Sequence, residues 1–227
     1  MHNAHGKPRT LLVPAVLMVL LLAVVETGTP GTAPPPTERS AAPTQDDLVE
    51  ATLEEHRVRV RIGGTHFTTY KFADTLKYPY LYPVNGPASG SSVTTESSEP
   101  WPHHHSLFFG CDRVNGGNYW QEGLDRGRIA SESVEIPVAR GDSAVIVQST
   151  RWRRPGAPAP FAGERRIVIR APSSEIRTID FSVTLEALVP VTIRRTNHAL
   201  FSARMVPALS VDSGGVLVNA EGDRGEE

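Results

Sequence analysis

From residue 57 the chain alternates strictly. Arg57, Arg59 and Arg61 fall on one side of an extended backbone, and Val58, Val60 and Ile62 on the other. Period-two patterning of this kind predicts a half-buried β-strand. Gly63 and Gly64 supply a turn, and residues 65–72 predict the returning strand of a hairpin. The cleanest alternation lies further on, with Ile179, Phe181, Val183, Leu185 and Ala187 facing inward and Asp180, Ser182, Thr184 and Glu186 outward. The same rule predicts strands over 107–109, 133–138, 143–150, 165–170, 177–187 and 189–195, with shorter ones over 201–206 and 216–218. Residues 46–55 fit either a short helix or a lead-in strand. Pro79, Pro83 and Pro87 exclude a central strand from residues 77–87, because proline cannot donate to a ladder. Residues 86–102 form a long polar stretch of the kind that is usually functional or mobile, and residues 153–163 a Pro/Gly loop. No amphipathic helical period follows residue 56. The fold class is therefore all-β, an antiparallel sandwich or open barrel.

The N-terminus has a different character. Lys7 and Arg9 precede an uncharged apolar run over residues 11–25. A basic flank before such a run reads as a secretory signal, and the run is shorter than the ~20 residues of a spanning helix. Cleaved signal and retained membrane anchor both fit. Residues 26–45 are rich in proline, threonine and alanine and predict an extended linker. This leaves a β-sandwich domain over 46–227, exported to the periplasm or beyond, or anchored by residues 11–25. A formal net charge of −2 and 7% aromatic residues provide neither the electrostatics nor the stacking surface for nucleic acid. The membrane is then met only through the N-terminal segment. Cys111 is the single cysteine, which excludes an intrachain disulfide and reads as a small buried hydrophobe.

Candidate chemistry collects in three places. The first is Pro100-Trp101-Pro102-His103-His104-His105-Ser106. On an extended chain His103 and His105 share a face and His104 takes the other, and imidazoles move protons or bind metals near neutral pH. No further ligand stands at a recognisable metal spacing, so neither a metal site nor a cofactor is assigned. The second is the segment 110–122, where Asn115-Gly116-Gly117 signals a tight turn that returns residues 119–122 toward the histidines. Asp112, Arg113, Asn118 and Glu122 offer donors and acceptors to a polar ligand, and Trp120 and Trp101 offer flat faces for a sugar ring. Equally, Asp112 and Arg113 can serve the turn backbone and the tryptophans the core. The third is Arg194-Arg195-Thr196-Asn197-His198, with His198 between two strands. Glu221 stands among small residues, and a carboxylate opposite a histidine is the arrangement that acid–base catalysis requires. P-loop, nucleophile-elbow, dinucleotide and H-E-x-x-H motifs are absent.

The segments 102–120 (PHHHSLFFGCDRVNGGNYW) and 196–204 (TNHALFSAR) resemble a bacterial family of unknown function whose members are often labelled methane oxygenase PmoA-like. The similarity runs from about residue 57 to the C-terminus. Relatives commonly carry Arg or Lys where this chain has His105. They also continue past the segment 219–222, which implies a C-terminally shortened chain and an incomplete sandwich. The family is more distantly similar to the galactose-mutarotase-like β-supersandwich, in which a histidine and a glutamate act at a sugar's ring oxygen and anomeric hydroxyl. By that resemblance His104 or His198 is the acid and Glu221 or Glu122 the base. His103, Asp112, Arg113, Asn118, Trp120 and Glu122 then bind the substrate. The expectation is a carbohydrate-binding or carbohydrate-active protein. Its rivals are an envelope interaction module without catalysis and a metal-dependent oxygenase.

Overall fold

The computed structural model of the protein describes residues 10–11, 48–97, 101–121, 123–196, 198 and 200–224. The apolar run and the proline-rich linker lie almost wholly outside these residues. Among the described residues no helix is long and apolar enough to cross a membrane.

Two antiparallel sheets make up the fold. Among the described residues the strands are, in chain order, β1 (Thr10–Leu11), β2 (Val49–Glu54), β3 (Arg57–Ile62), β4 (Thr65–Lys71), β5 (Tyr80–Val84), β6 (Leu107–Phe109), β7 (Arg128–Val138), β8 (Arg140–Gly141), β9 (Ser143–Arg153), β10 (Phe161–Ser173), β11 (Ile176–Ala187) and β12 (Phe201–Ala203). The larger sheet has seven of them in the order β12-β6-β5-β4-β3-β2-β8, and the smaller five in the order β1-β11-β10-β9-β7. The expected sandwich is thus the observed architecture. Residues 46–55 resolve to strand β2, because Val49 and Ala51 pair across to Ile62 and Val60 and share their buried face.

The core follows the alternation. Val58, Val60 and Ile62 of β3 and Phe67 and Tyr70 of β4 meet Ala144 and Ile146 of β9 and Ile167 and Ile169 of β10 between the sheets. Each large side chain removed from water here contributes about 1.5–3 kcal/mol. Arg165 takes the same inward face as Ile167 and Ile169 and is 1% exposed. Its guanidinium donates to the carbonyls of Pro79 (3.0 Å) and Phe109 (3.3 Å) and to the Tyr70 hydroxyl (3.3 Å), so the buried charge is held by dipoles.

Four expectations are corrected. Tyr80–Val84 is an interior strand despite its proline, lying between β4 and β6. Pro83 falls within the register shift between Thr68 and Tyr70, where no ladder donor is required of it. Residues 189–195 form no strand. The turn at residues 113–115 occupies their backbone instead, with Asn115 N–H donating to Thr192 O at 3.0 Å and Arg194 N–H to Arg113 O at 3.1 Å. Residues 216–218 are exposed and irregular apart from a single bridge, Val218 to Arg224. Ala187, at the end of the inward series of β11, is exposed, whereas Leu185 before it is buried.

Candidate functional site

The site grows out of one close chain crossing. Beyond β6 the chain enters Gly110, where a Cβ would stand 2.9 Å from the Tyr119 carbonyl oxygen and 3.1 Å from the Trp120 ring. The crossing is closed by the turn Val114–Gly117, in which Gly117 N–H donates to Val114 O at 2.8 Å. Asn115 and Gly116 adopt positive φ of 48° and 75° there, the conformation these two residue types accept most readily. Tyr119 N–H then donates to Cys111 O at 2.9 Å, which sets Trp120 beside the histidine segment.

The second chain to arrive is 190–198. Asn115 binds it three times: through its backbone to Thr192, through Oδ1 to Thr192 N–H (2.8 Å), and through Nδ2 to Pro190 O (3.0 Å). Arg113 adds a bond from Nη1 to Arg195 O at 2.9 Å. This lacing carries His198 onto Asp112. His198 Nδ1 lies 3.0 Å from Asp112 Oδ2, and the Thr196 hydroxyl donates to the same oxygen at 3.1 Å. With the carboxylate accepting, the proton belongs on Nδ1, and Nε2 carries the lone pair. No described residue hydrogen-bonds Nε2. Asp112 is 3% exposed, and its other oxygen, Oδ1, is buried without a partner. Such a carboxylate costs stability wherever it is not put to use.

Trp120 forms the floor. His198 stacks on it with centroids 4.1 Å apart and an interplanar angle of 17°. His103 and His104 meet it edge-on at 5.0 and 5.1 Å, and His104 lies against Trp101 as well. Trp120 is 5% exposed and belongs to the aromatic core with Tyr78, Phe108 and Trp152, so it supports imidazoles rather than offering an open platform. The three histidines do not alternate as an extended chain requires. His104 N–H donates to Trp101 O at 3.0 Å, a turn that sends His103 and His104 to Trp120. His105 goes the other way, stacking on Tyr80 at 4.7 Å.

The electrostatics divide these groups. Burial pushes the His104 pKa down to about 4, and the charges of His103, Arg204 and His198 act in the same direction. His104 is therefore a neutral imidazole at neutral pH. Burial first, and then the Asp112 charge, push the Cys111 thiol up to about 11. Burial raises Glu96, but hydrogen bonds from Lys71 and Tyr80 outweigh it and hold the carboxyl below the usual range.

Asp112 and His198 open onto a polar cleft of ≈ 480 Å³, lined also by Arg113, Asn118, Gln121, Arg126 and Arg194. Asn118 Oδ1 accepts from Trp120 N–H (2.9 Å) and Gln121 N–H (2.8 Å), and Nδ2 donates to Gln121 Oε1 (2.9 Å), so this side chain shapes the wall. Glu221 lies in an exposed turn with no contact to His104 or His198 among the described residues, and Glu122 lies outside them. No group of three His, Cys, Asp or Glu side chains among the described residues is placed to hold a metal ion. The sequence pattern passed over Thr196, Gln121 and Arg126. Thr196, two residues before His198, carried a local signal, whereas Arg126 reaches the site only through the tertiary fold.

A family model matches residues 57–227. The chain belongs to DUF6807, a family of unknown function. The match covers the hairpin of β3 and β4, the histidine segment, the Asp112 turn and His198. The family's description names no activity, so neither the methane-oxygenase label nor a shortened C-terminus follows from it. Neither the curated proteins nor the solved structures compared with the chain yield a match.

Proposed function

We propose that this DUF6807 member acts on a small polyhydroxylated molecule of the carbohydrate class, with His198 transferring a proton to or from it at the cleft. The observation that carries this reading is the Asp112–His198 hydrogen bond of 3.0 Å, which leaves Nε2 unengaged beside the polar cleft. A carboxylate on Nδ1 fixes the tautomer and stabilises the imidazolium that forms when Nε2 takes a proton. Thr196 and Trp120 restrict the ring's remaining freedom, through the hydroxyl on Asp112 and the stacked indole. His104, a neutral imidazole, meets the same indole edge-on but does not line the cleft. The hydroxyl-rich ligand is suggested by the wall itself, where amides, guanidiniums and a histidine outnumber apolar groups. The basic flank and apolar run at residues 7–25 support export as part of this reading.

Saturation-transfer NMR of the full chain against reducing sugars, alditols and sugar acids tests the reading. It expects at least one ligand whose binding weakens about tenfold, ~1.4 kcal/mol, in His198→Gln. A folded protein that binds none of them would end it. N-terminal sequencing of the protein recovered from its native host tests export, with a start beyond residue 25 expected for a cleaved signal.

A further inference from the structure

We infer that the molecule taken by the cleft carries an oxyanion group, a carboxylate or a phosphate, in addition to its hydroxyls. This rests on the acid–base reading of Asp112 and His198 above and names the substrate class of that site.

Three guanidiniums line the cleft, those of Arg113, Arg126 and Arg194. Among the described residues the only carboxylate in the lining is Asp112, whose side chain is 4% exposed and already bonded to His198 and Thr196. The concentration is local, because the chain as a whole has a formal net charge of −2. Arg113 Nε stands 3.8 Å from Asp112 Oδ2, and its Nη1 is held by Arg195 O. No carboxylate among the described residues pairs with Arg126 or Arg194, and both are exposed.

Their main chains are nonetheless fixed to the site. Arg126 O accepts from Asn118 N–H at 2.8 Å, and Arg194 N–H donates to Arg113 O at 3.1 Å. The wall therefore presents anchored backbones whose guanidiniums meet no described carboxylate, in the same lining as His198. Arginine donates a planar fork that matches carboxylate and phosphate oxygens two at a time. An anionic group held there would orient the hydroxyl-bearing part of the molecule toward Nε2 of His198. A neutral sugar would leave these guanidiniums to solvent and would draw nothing from their charge.

Isothermal titration calorimetry on the full chain decides the matter with glucuronate, glucose 6-phosphate and glucose as probes. The expected result is that one of the two anions binds at least about tenfold more tightly than glucose, and more weakly as salt rises. The double variant Arg126→Gln/Arg194→Gln is expected to lose most of that preference, while Arg61→Gln, on the distant β3, keeps it. Glucuronate above glucose 6-phosphate identifies a carboxylate, and the reverse order a phosphate. Equal affinity for glucose and the two anions, or an anion preference intact in the double variant, overturns the inference and leaves the acid–base reading standing. A folded chain that binds none of the three, and no other sugar, removes both.

Discussion

Asp112 and His198 stand 86 positions apart in the chain, and the carboxylate of one meets the imidazole of the other at 3.0 Å. The two are brought together by the turn Val114–Gly117 and by the three bonds Asn115 makes to residues 190–192. Asparagine at 115 thus does two jobs. It accepts the positive φ of the turn, and it clamps the segment that carries His198.

The first prediction concerns the tautomer. Long-range proton–nitrogen correlation spectra of the imidazoles should show the neutral His198 ring protonated at Nδ1 and bare at Nε2. In Asp112→Asn the carboxamide can present N–H to Nδ1, and the proton should move to Nε2. The melting temperature should fall by no more than about 3 °C, ~1 kcal/mol for a domain of this size. An unchanged tautomer in the variant would mean that Asp112 does not orient the ring.

The second concerns His104. Its folded pKa of about 4 lies below the ordinary imidazole value. Above pH 6.5 the ring is neutral in both folded and unfolded chains and contributes no pH dependence. Between 6.5 and 4 the unfolded chain takes up the proton and the folded one does not, so stability falls as pH falls through this window. Below about 4 the contribution levels off. NMR titration should place the His104 midpoint near 4, and His104→Asn should flatten the acid limb of a Tm-against-pH curve. A midpoint near 6.5 would refute this account of its burial.

These two residues also show what the sequence can and cannot reveal. Strands β3 and β10 are legible because one face of each is buried and the pattern repeats every second residue, whereas β4 is buried on both faces and β11 is only partly covered. Arg165 follows the same rule, since it shares its parity with Ile167 and Ile169. A charged residue is nonetheless not counted as core until its partners, the carbonyls of Pro79 and Phe109, are seen. Asp112 and His198 are both conspicuous in the sequence, yet their pairing depends on a loop contact with no periodicity. Residues 189–195 mislead for the same reason. Their alternation suits a strand, but the turn at 113–115 binds their backbone first. His103, His104 and His105 lose their expected alternation to a single hydrogen bond, from His104 N–H to Trp101 O.

Arg165 supplies the third prediction. Replacing it with methionine keeps much of the volume but takes the Arg165 donor from two buried carbonyls and leaves the Tyr70 hydroxyl only its bond to Gln148. The expected loss is about 3 kcal/mol, or roughly 6–12 °C in melting temperature. Chemical denaturation with an unchanged slope would check that the fold itself is retained. A variant as stable as the parent would show that the three bonds only offset the cost of burying the charge.

Cys111 provides the fourth. A thiol whose pKa is pushed up to about 11 holds almost no thiolate at neutral pH, and it is buried against the site wall. Iodoacetamide should therefore leave the native chain unmodified at pH 7.5 and alkylate it fully in denaturant. Rapid labelling of the folded protein would contradict the packing described around Gly110 and Tyr119.

The most direct test of the central claim follows the anomers of reducing sugars and sugar acids by exchange NMR, with and without the full chain. General acid–base catalysis by a positioned imidazole is worth about 10²–10⁴-fold. Wild type should accelerate interconversion of at least one anomeric pair, and His198→Gln should lose about 100-fold of that rate while folding normally. Equal rates for wild type and His198→Gln across the panel would contradict the assignment of His198 as the proton-transferring group.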